Sequence, residues 1–142
     1  KKLLTNPGIT WEVIQDYVEK YLDARTNDNI SSDNDLSADS VYGFSKACTN
    51  AYTMYLAGKY KNLTVNACTP GFIETDMTRP MAVSVNKTPA EMGMKSPEEG
   101  ASASVFLLMG NPEGSGHYYG SDCLRSPIDR YRSPGDPPYT GN

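Results

Sequence analysis

Two residues of this 142-residue chain carry the most specific chemistry, Tyr42 and Lys46, in the run Tyr42-Gly43-Phe44-Ser45-Lys46. Four residues apart on a helix, a phenol and an ammonium share one face. A free phenol holds its proton with a pKa of about 10, too tightly for efficient transfer near neutrality. A nearby ammonium stabilises the phenolate and eases the transfer. Such a pair can give a proton to a developing alkoxide or take one from an alcohol, which is typically worth about 10²–10⁴ in rate. Tyr and Lys are common residues, so the spacing alone is a weak signal, and its surroundings decide its meaning.

The surrounding elements can be read from pattern. Thr10 and then Trp11, Ile14, Val18, Tyr21 and Leu22 predict an amphipathic helix over Trp11–Ala24, with Thr10 as its N-cap. Thr26–Ser40 is polar and reads as a loop. A second helix is predicted from Asp39 or Ser40 to about Tyr60, carrying Tyr42 and Lys46 near its start and small residues suited to close packing. Asn62–Thr69 predicts a buried strand that stops at Pro70-Gly71, and Phe72–Pro89 reads as a long irregular stretch. Ser96-Pro97-Glu98-Glu99 is a helix start with a capping box, so a helix is expected over Pro97–Met109, burying Ala101, Val105, Phe106 and Leu108 and ending at Gly110. Gly116–Cys123 suggests a last short strand, and Ser126–Asn142 an irregular tail rich in Pro and Gly. Helices alternating with strands imply an α/β layered fold with a parallel sheet, whose ligands bind beyond the carboxyl ends of the strands. Here that end is the Pro70-Gly71 turn.

Together these features resemble the second half of a short-chain dehydrogenase/reductase. Tyr42 and Lys46 match the family's active-site Y-x-x-x-K, and Pro70, Gly71 and Thr75 match its P-G-x-x-x-T turn. The run Asn66–Met77 and then Lys95-Ser96-Pro97-Glu98-Glu99-Gly100 is similar to the monomeric NADPH-dependent carbonyl reductases. The resemblance covers roughly Thr10 to Arg125. It implies a Rossmann-like doubly wound parallel sheet of which this chain holds the C-terminal half. Residues 1–40 would be a helical insertion and polar loop, 41–125 the catalytic helix, strand, substrate loop, helix and last strand, and 126–142 the tail. It further implies that Tyr42 protonates a carbonyl oxygen as hydride arrives from NADPH, and that Lys46 supports the phenolate and hydrogen-bonds the nicotinamide ribose. Tyr42, Lys46, Pro70, Gly71, Ile73 and Thr75 would hold the cofactor, Ile73 through its backbone at the carboxamide and Thr75 near the phosphates. Phe72 would line the pocket for a small carbonyl substrate. The complete protein would be a cytoplasmic monomer, with the inserted helix covering the surface through which other family members assemble.

The family's glycine-rich first turn has no counterpart here; Gly114-Ser115-Gly116 leads into a strand-like stretch and reads as an ordinary turn. Ser31 and Ser32 follow residues too polar for a buried parallel strand and read as loop rather than as the family's active-site serine. The chain does not begin with Met, and the expectation is that the N-terminal half lies in the same polypeptide or in a separate one. An alternative to an enzyme is a non-catalytic, reductase-like packing module in a larger assembly. The joint presence of Tyr42, Lys46, the Pro70-Gly71 turn and Thr75 favours the enzyme.

Composition narrows the remaining classes. A net charge of -4 with no basic stripe argues against a nucleic-acid partner. Three cysteines without C-x-x-C spacing and one histidine, His117, argue against a structural metal and for a reducing compartment. The longest apolar run, Val105–Met109, is far too short to span a bilayer. Cys48 and Cys68 read as packing residues, His117 as a hydrogen-bonding surface residue, and Tyr52, Tyr55 and Tyr60 as packing aromatics.

Overall fold

The computed structural model describes residues 4–26, 41–130 and 132–141, which form two compact units. Ser31, Ser32 and the expected helix start at Asp39 or Ser40 lie outside the described residues.

The first unit comprises Lys1–Ala67, Gly114–His117 and Ile128–Arg130. It is built on helices α1 (Trp11–Thr26) and α2 (Val41–Lys59). The Thr10 hydroxyl accepts the Val13 N–H at 3.4 Å, the N-cap bond expected from the sequence. Ile14 and Tyr21 are buried two turns apart on α1, whereas Leu22 is exposed. Leu22 follows Tyr21 by one residue, about 100° around the helix, and so misses the narrow stripe that meets α2. Leu4, Ile9, Ile14, Ala51 and Met54 make the core, with Tyr17, Ala47, Cys48 and Tyr55 packed against it. Aromatic rings extend this seam. Tyr21 stacks on Phe44 with centroids 3.7 Å apart, and Trp11 meets Tyr52 edge-on at 5.5 Å. Tyr52 and Tyr55 therefore pack, as their helical spacing implies.

The strand expected over Asn62–Thr69 contracts to β1, Ala67–Cys68. The residues before it are bonded largely by side chains, beside one backbone bond from Gly116 N–H to Val65 O at 2.7 Å. Val65 N–H donates to Ser115 Oγ at 3.0 Å, and the Asn66 amide donates to Gly114 O at 3.2 Å while accepting His117 N–H at 2.9 Å. Ala67 N–H then donates to His117 O and Thr69 N–H to Tyr119 O, a step of two residues forward on both chains, which is the parallel pattern. β2 (Tyr118–Tyr119) pairs antiparallel with β3 (Arg125–Ser126), giving a small mixed sheet in the order β1-β2-β3. The α/β class is as expected, and this sheet is compatible with part of a Rossmann-like fold. β3 was not expected. The chain reverses into it through a tight turn at Gly120–Leu124, where Cys123 adopts φ +62° and Cys123 N–H donates to Gly120 O.

The second unit comprises Cys68–Glu113, Tyr118–Pro127 and Tyr131–Asn142. Its buried apolar residues are Ile73, Ala82, Met94, Ala103 and Tyr119. The stretch read as irregular contains a short helix, α3 (Arg79–Ser84), and a 3-10 turn at Ala90–Met92 follows it. Helix α4 spans Pro97–Met109, as predicted, with the full capping box between Ser96 and Glu99. Its buried face differs from expectation. Gly100 and Ala103 are buried and Phe106 is partly so, whereas Ala101, Val105 and Leu108 are exposed. Small residues explain the choice of face. A Cβ on Gly100 would lie 2.8 Å from Ile73 Cδ1, so only glycine lets Ile73 approach the helix so closely. Phe106 continues the line and meets the Tyr119 ring at 5.7 Å.

The tail has no helix or strand after Ser126 among the described residues, yet it is tied down. The buried guanidinium of Arg132 pairs with Asp122, donates to Ser126 Oγ at 3.0 Å and donates to Asp136 O at 2.7 Å. Arg125 donates to Gly141 O at 2.8 Å and accepts Tyr139 N–H on its carbonyl. No helix among the described residues is long and apolar enough to cross a membrane.

Candidate active site

The sequence-predicted residues fall into two groups, Tyr42 and Lys46 in the first unit and Pro70, Gly71, Phe72, Ile73 and Thr75 in the second. Tyr42 and Lys46 occupy the first and second turns of α2. The Tyr42 side is open to solvent, with the residue 67% exposed, so its hydroxyl is accessible to a ligand. The Lys46 ammonium lies 5.4 Å from the Tyr42 ring centroid. The i, i+4 spacing has thus brought the cation over the phenol face, within the range of a cation–π attraction. Phe44 and Ala47, between and beside them, face the packed seam of the first unit and fix the rotation of the helix.

The second group is a single loop. Gly71 turns the chain at φ +87°, and a Cβ there would lie 3.1 Å from Ser121 Oγ, so both conformation and space call for glycine. The next residues pair in parallel with Lys95. Lys95 N–H donates to Phe72 O and Glu74 N–H donates to Lys95 O, both at 2.9 Å. That register leaves the N–H and C=O of Ile73 pointing away from Lys95. The carbonyl accepts the Thr78 hydroxyl at 2.5 Å, and no described residue bonds the N–H. The Ile73 side chain is buried, which anchors this backbone against Gly100.

Thr75 is exposed beyond it. Its N–H donates to Thr78 Oγ1 at 2.9 Å, and the two hydroxyls are 3.1 Å apart. Arg79 closes the loop from outside, bonding Glu74 at 3.0 Å and pairing with Asp76. The Glu74 hydrogen bond, foremost, raises the proton affinity of the Arg79 guanidinium, so it stays charged. Lys95 Nζ reaches Ser121 Oγ at 3.3 Å beside the Gly71 turn. Phe72 is partly exposed at the turn, as a pocket-lining residue would need to be.

Thr78, Lys95 and Ser121 were missed by sequence reasoning. Thr78 had one available signal: it stands three residues after Thr75, a spacing at which hydroxyls bond nearby backbone. Lys95 and Ser121 act through contacts between distant parts of the chain, for which local pattern gives no sign. His117 donates its N–H to Asn66, Cys68 Sγ lies 3.6 Å from Ser104 Oγ, and burial pushes the Cys48 thiol up.

The first unit thus carries a helix-borne Tyr–Lys pair, and the second a glycine turn leading to a loop with an unbonded backbone N–H and an exposed hydroxyl. The chain is related to the short-chain dehydrogenases/reductases. It is 34% identical over 102 residues to (+)-neomenthol dehydrogenase of Arabidopsis thaliana, which covers 72% of this chain and 31% of that protein. It is 36% identical over 78 residues to short-chain dehydrogenase/reductase 1 of Saponaria officinalis, covering 53% of the chain and 22% of the relative. With carbonyl reductase [NADPH] 1 of Mus musculus it shares 34% identity over 83 residues, 54% of the chain and 26% of the relative. The chain thus spans a third or less of the length of these curated relatives. No family model matches it.

Proposed function

We propose that this chain supplies the C-terminal half of an oxidoreductase that reduces a carbonyl to an alcohol with NADPH. Tyr42 acts as general acid, giving its proton to the carbonyl oxygen as that oxygen gains charge, and as general base in the reverse direction. Lys46, one helical turn on, stabilises the phenolate that remains and binds the nicotinamide ribose. The observation that carries this reading is the shared face of α2, with the Lys46 ammonium 5.4 Å from the Tyr42 ring centroid.

The residues present fit a nicotinamide cofactor. The unbonded Ile73 N–H is a donor suited to the carboxamide, the exposed Thr75 hydroxyl suits a phosphate oxygen, and Gly71 with Pro70 shapes the turn between strand and loop. When bound, the cofactor supplies the hydride; the chain supplies orientation and the proton. Phe72 contributes an apolar wall for the substrate. The choice of NADPH rests on the named mouse relative and on the sequence resemblance. The rest of the cofactor site, including the glycine-rich turn, comes from the N-terminal half of the same fold. The complete protein works as a monomer in the cytoplasm.

Fluorescence titration of the complete protein with NADPH tests the reading. Saturable, tight binding is the expected result, and absence of binding by the folded protein contradicts it.

A further inference from the structure

We propose that Thr78 is a positioning residue that sets the cofactor loop before any ligand arrives; this rests on the reductase reading above. Thr78 stands at the N-cap of α3, yet its side chain makes no capping bond to that helix. Its hydroxyl turns back into the preceding loop instead. It donates to Ile73 O at 2.5 Å and accepts Thr75 N–H at 2.9 Å. One hydroxyl proton can be given only once, and the 2.5 Å contact with Ile73 O takes it in preference to the 3.2 Å contact with Thr75 O. The 3.1 Å contact between the two hydroxyls is then donated by Thr75.

Each bond has a consequence for ligand binding. The Ile73 carbonyl is held on the side away from Lys95, and the same register turns the Ile73 N–H away from Lys95, where no described residue bonds it. The Thr75 backbone is held so that its hydroxyl stands at the loop's exposed edge. The Thr75 hydroxyl, donating to Thr78 Oγ1, would be free to turn to a phosphate oxygen of the cofactor without disturbing the Thr78 bonds to Ile73 O and Thr75 N–H. The loop thus need not be ordered at the cost of binding energy. Without the Thr78 hydroxyl, the Ile73 carbonyl and the Thr75 N–H lose their partner and turn toward water. Arg79 does not replace it, because its guanidinium bonds the side chains of Glu74 and Asp76 and its backbone N–H bonds the Thr75 carbonyl, so neither reaches Ile73 O or Thr75 N–H.

The test uses the complete protein with three forms, wild type, Thr78→Val and Thr78→Ser. NADPH affinity is read by fluorescence titration, KM and kcat by steady-state kinetics, and folding by melting temperature. Thr78→Val is expected to weaken NADPH binding about ten-fold and raise its KM in step, with kcat at saturating NADPH within about three-fold of wild type. Thr78→Ser, which keeps the hydroxyl, restores affinity to within about two-fold, a rescue that methyl packing alone would not give. Wild-type affinity in a folded Thr78→Val protein overturns the inference and leaves the reductase reading standing. Failure of the wild type itself to bind NADPH overturns both. If the valine variant does not fold, Thr78→Ala takes its place and is read in the same way.

Discussion

The ammonium of Lys46 lies over the ring of Tyr42, 5.4 Å from its centroid and one turn further along α2. Both side chains project from a helix whose other face is locked by Phe44, Ala47, Ala51 and Met54. Packing therefore fixes the rotation of the helix, and the cation–π contact relates the two exposed side chains it carries. Lys46→Met keeps the aliphatic stem and removes the charge. It is expected to lower turnover of the complete enzyme by about 10²-fold, within the range for assisted proton transfer, and to raise the KM for NADPH. Unchanged steady-state constants would separate Lys46 from the chemistry.

Gly100 and Gly58 make a paired prediction of opposite sign. A Cβ at Gly100 would press on Ile73 at 2.8 Å, whereas a Cβ at Gly58 on α2 meets nothing within 4 Å. Gly100→Ala should destabilise by about 1–3 kcal/mol through overpacking. Gly58→Ala should stabilise by about 0.5–1 kcal/mol through helix propensity. Urea unfolding of the two variants reads both, and equal effects would contradict the close packing of Ile73 on α4.

The tail should be acid-sensitive through Asp122. Burial alone raises the Asp122 carboxyl, but the Arg132 hydrogen bond, the Leu124 and Gly135 N–H groups and the Arg132 charge together hold it below its ordinary value. A carboxyl lowered in the folded state stabilises fully above its unfolded value, about 3.9, and that contribution is lost as pH falls through the folded value. Asp122→Asn is expected to melt earlier than wild type at neutral pH and to lose less on acidification below about pH 4. Parallel melting curves for the two proteins across that range would show that Asp122 contributes no such linkage.

Legibility in the sequence followed the range of the interactions. Helix α4 was readable to its ends because Ser96, Pro97 and Glu99 encode its start within four residues. Its buried face was not, because Gly100 is buried by Ile73, which comes from a loop more than twenty residues earlier. Reading the largest apolar residues as core placed Val105 and Leu108 inside, although the face that packs is the one made of small residues. The strand before Pro70 shortened for a related reason. Asn66 and Ser115 bond backbone groups with their side chains, a long-range exchange that β-propensity does not register. Among the candidate residues, Tyr42 and Lys46 were picked out by spacing and Gly71 by turn chemistry, whereas Thr75 was named only through the family resemblance. Thr78 was hidden because its role lies in the direction its hydroxyl turns, back toward Ile73 rather than forward into α3.

The most direct test of the proposed chemistry is turnover of Tyr42→Phe in the complete protein, with NADPH and a carbonyl substrate that the wild type reduces. Removing one hydroxyl from an exposed ring leaves α2 and its packed seam in place. The expected result is a loss of about 10²–10⁴ in kcat with NADPH affinity close to wild type. A Tyr42→Phe enzyme that turns over at the wild-type rate would contradict the assignment of Tyr42 as the proton donor.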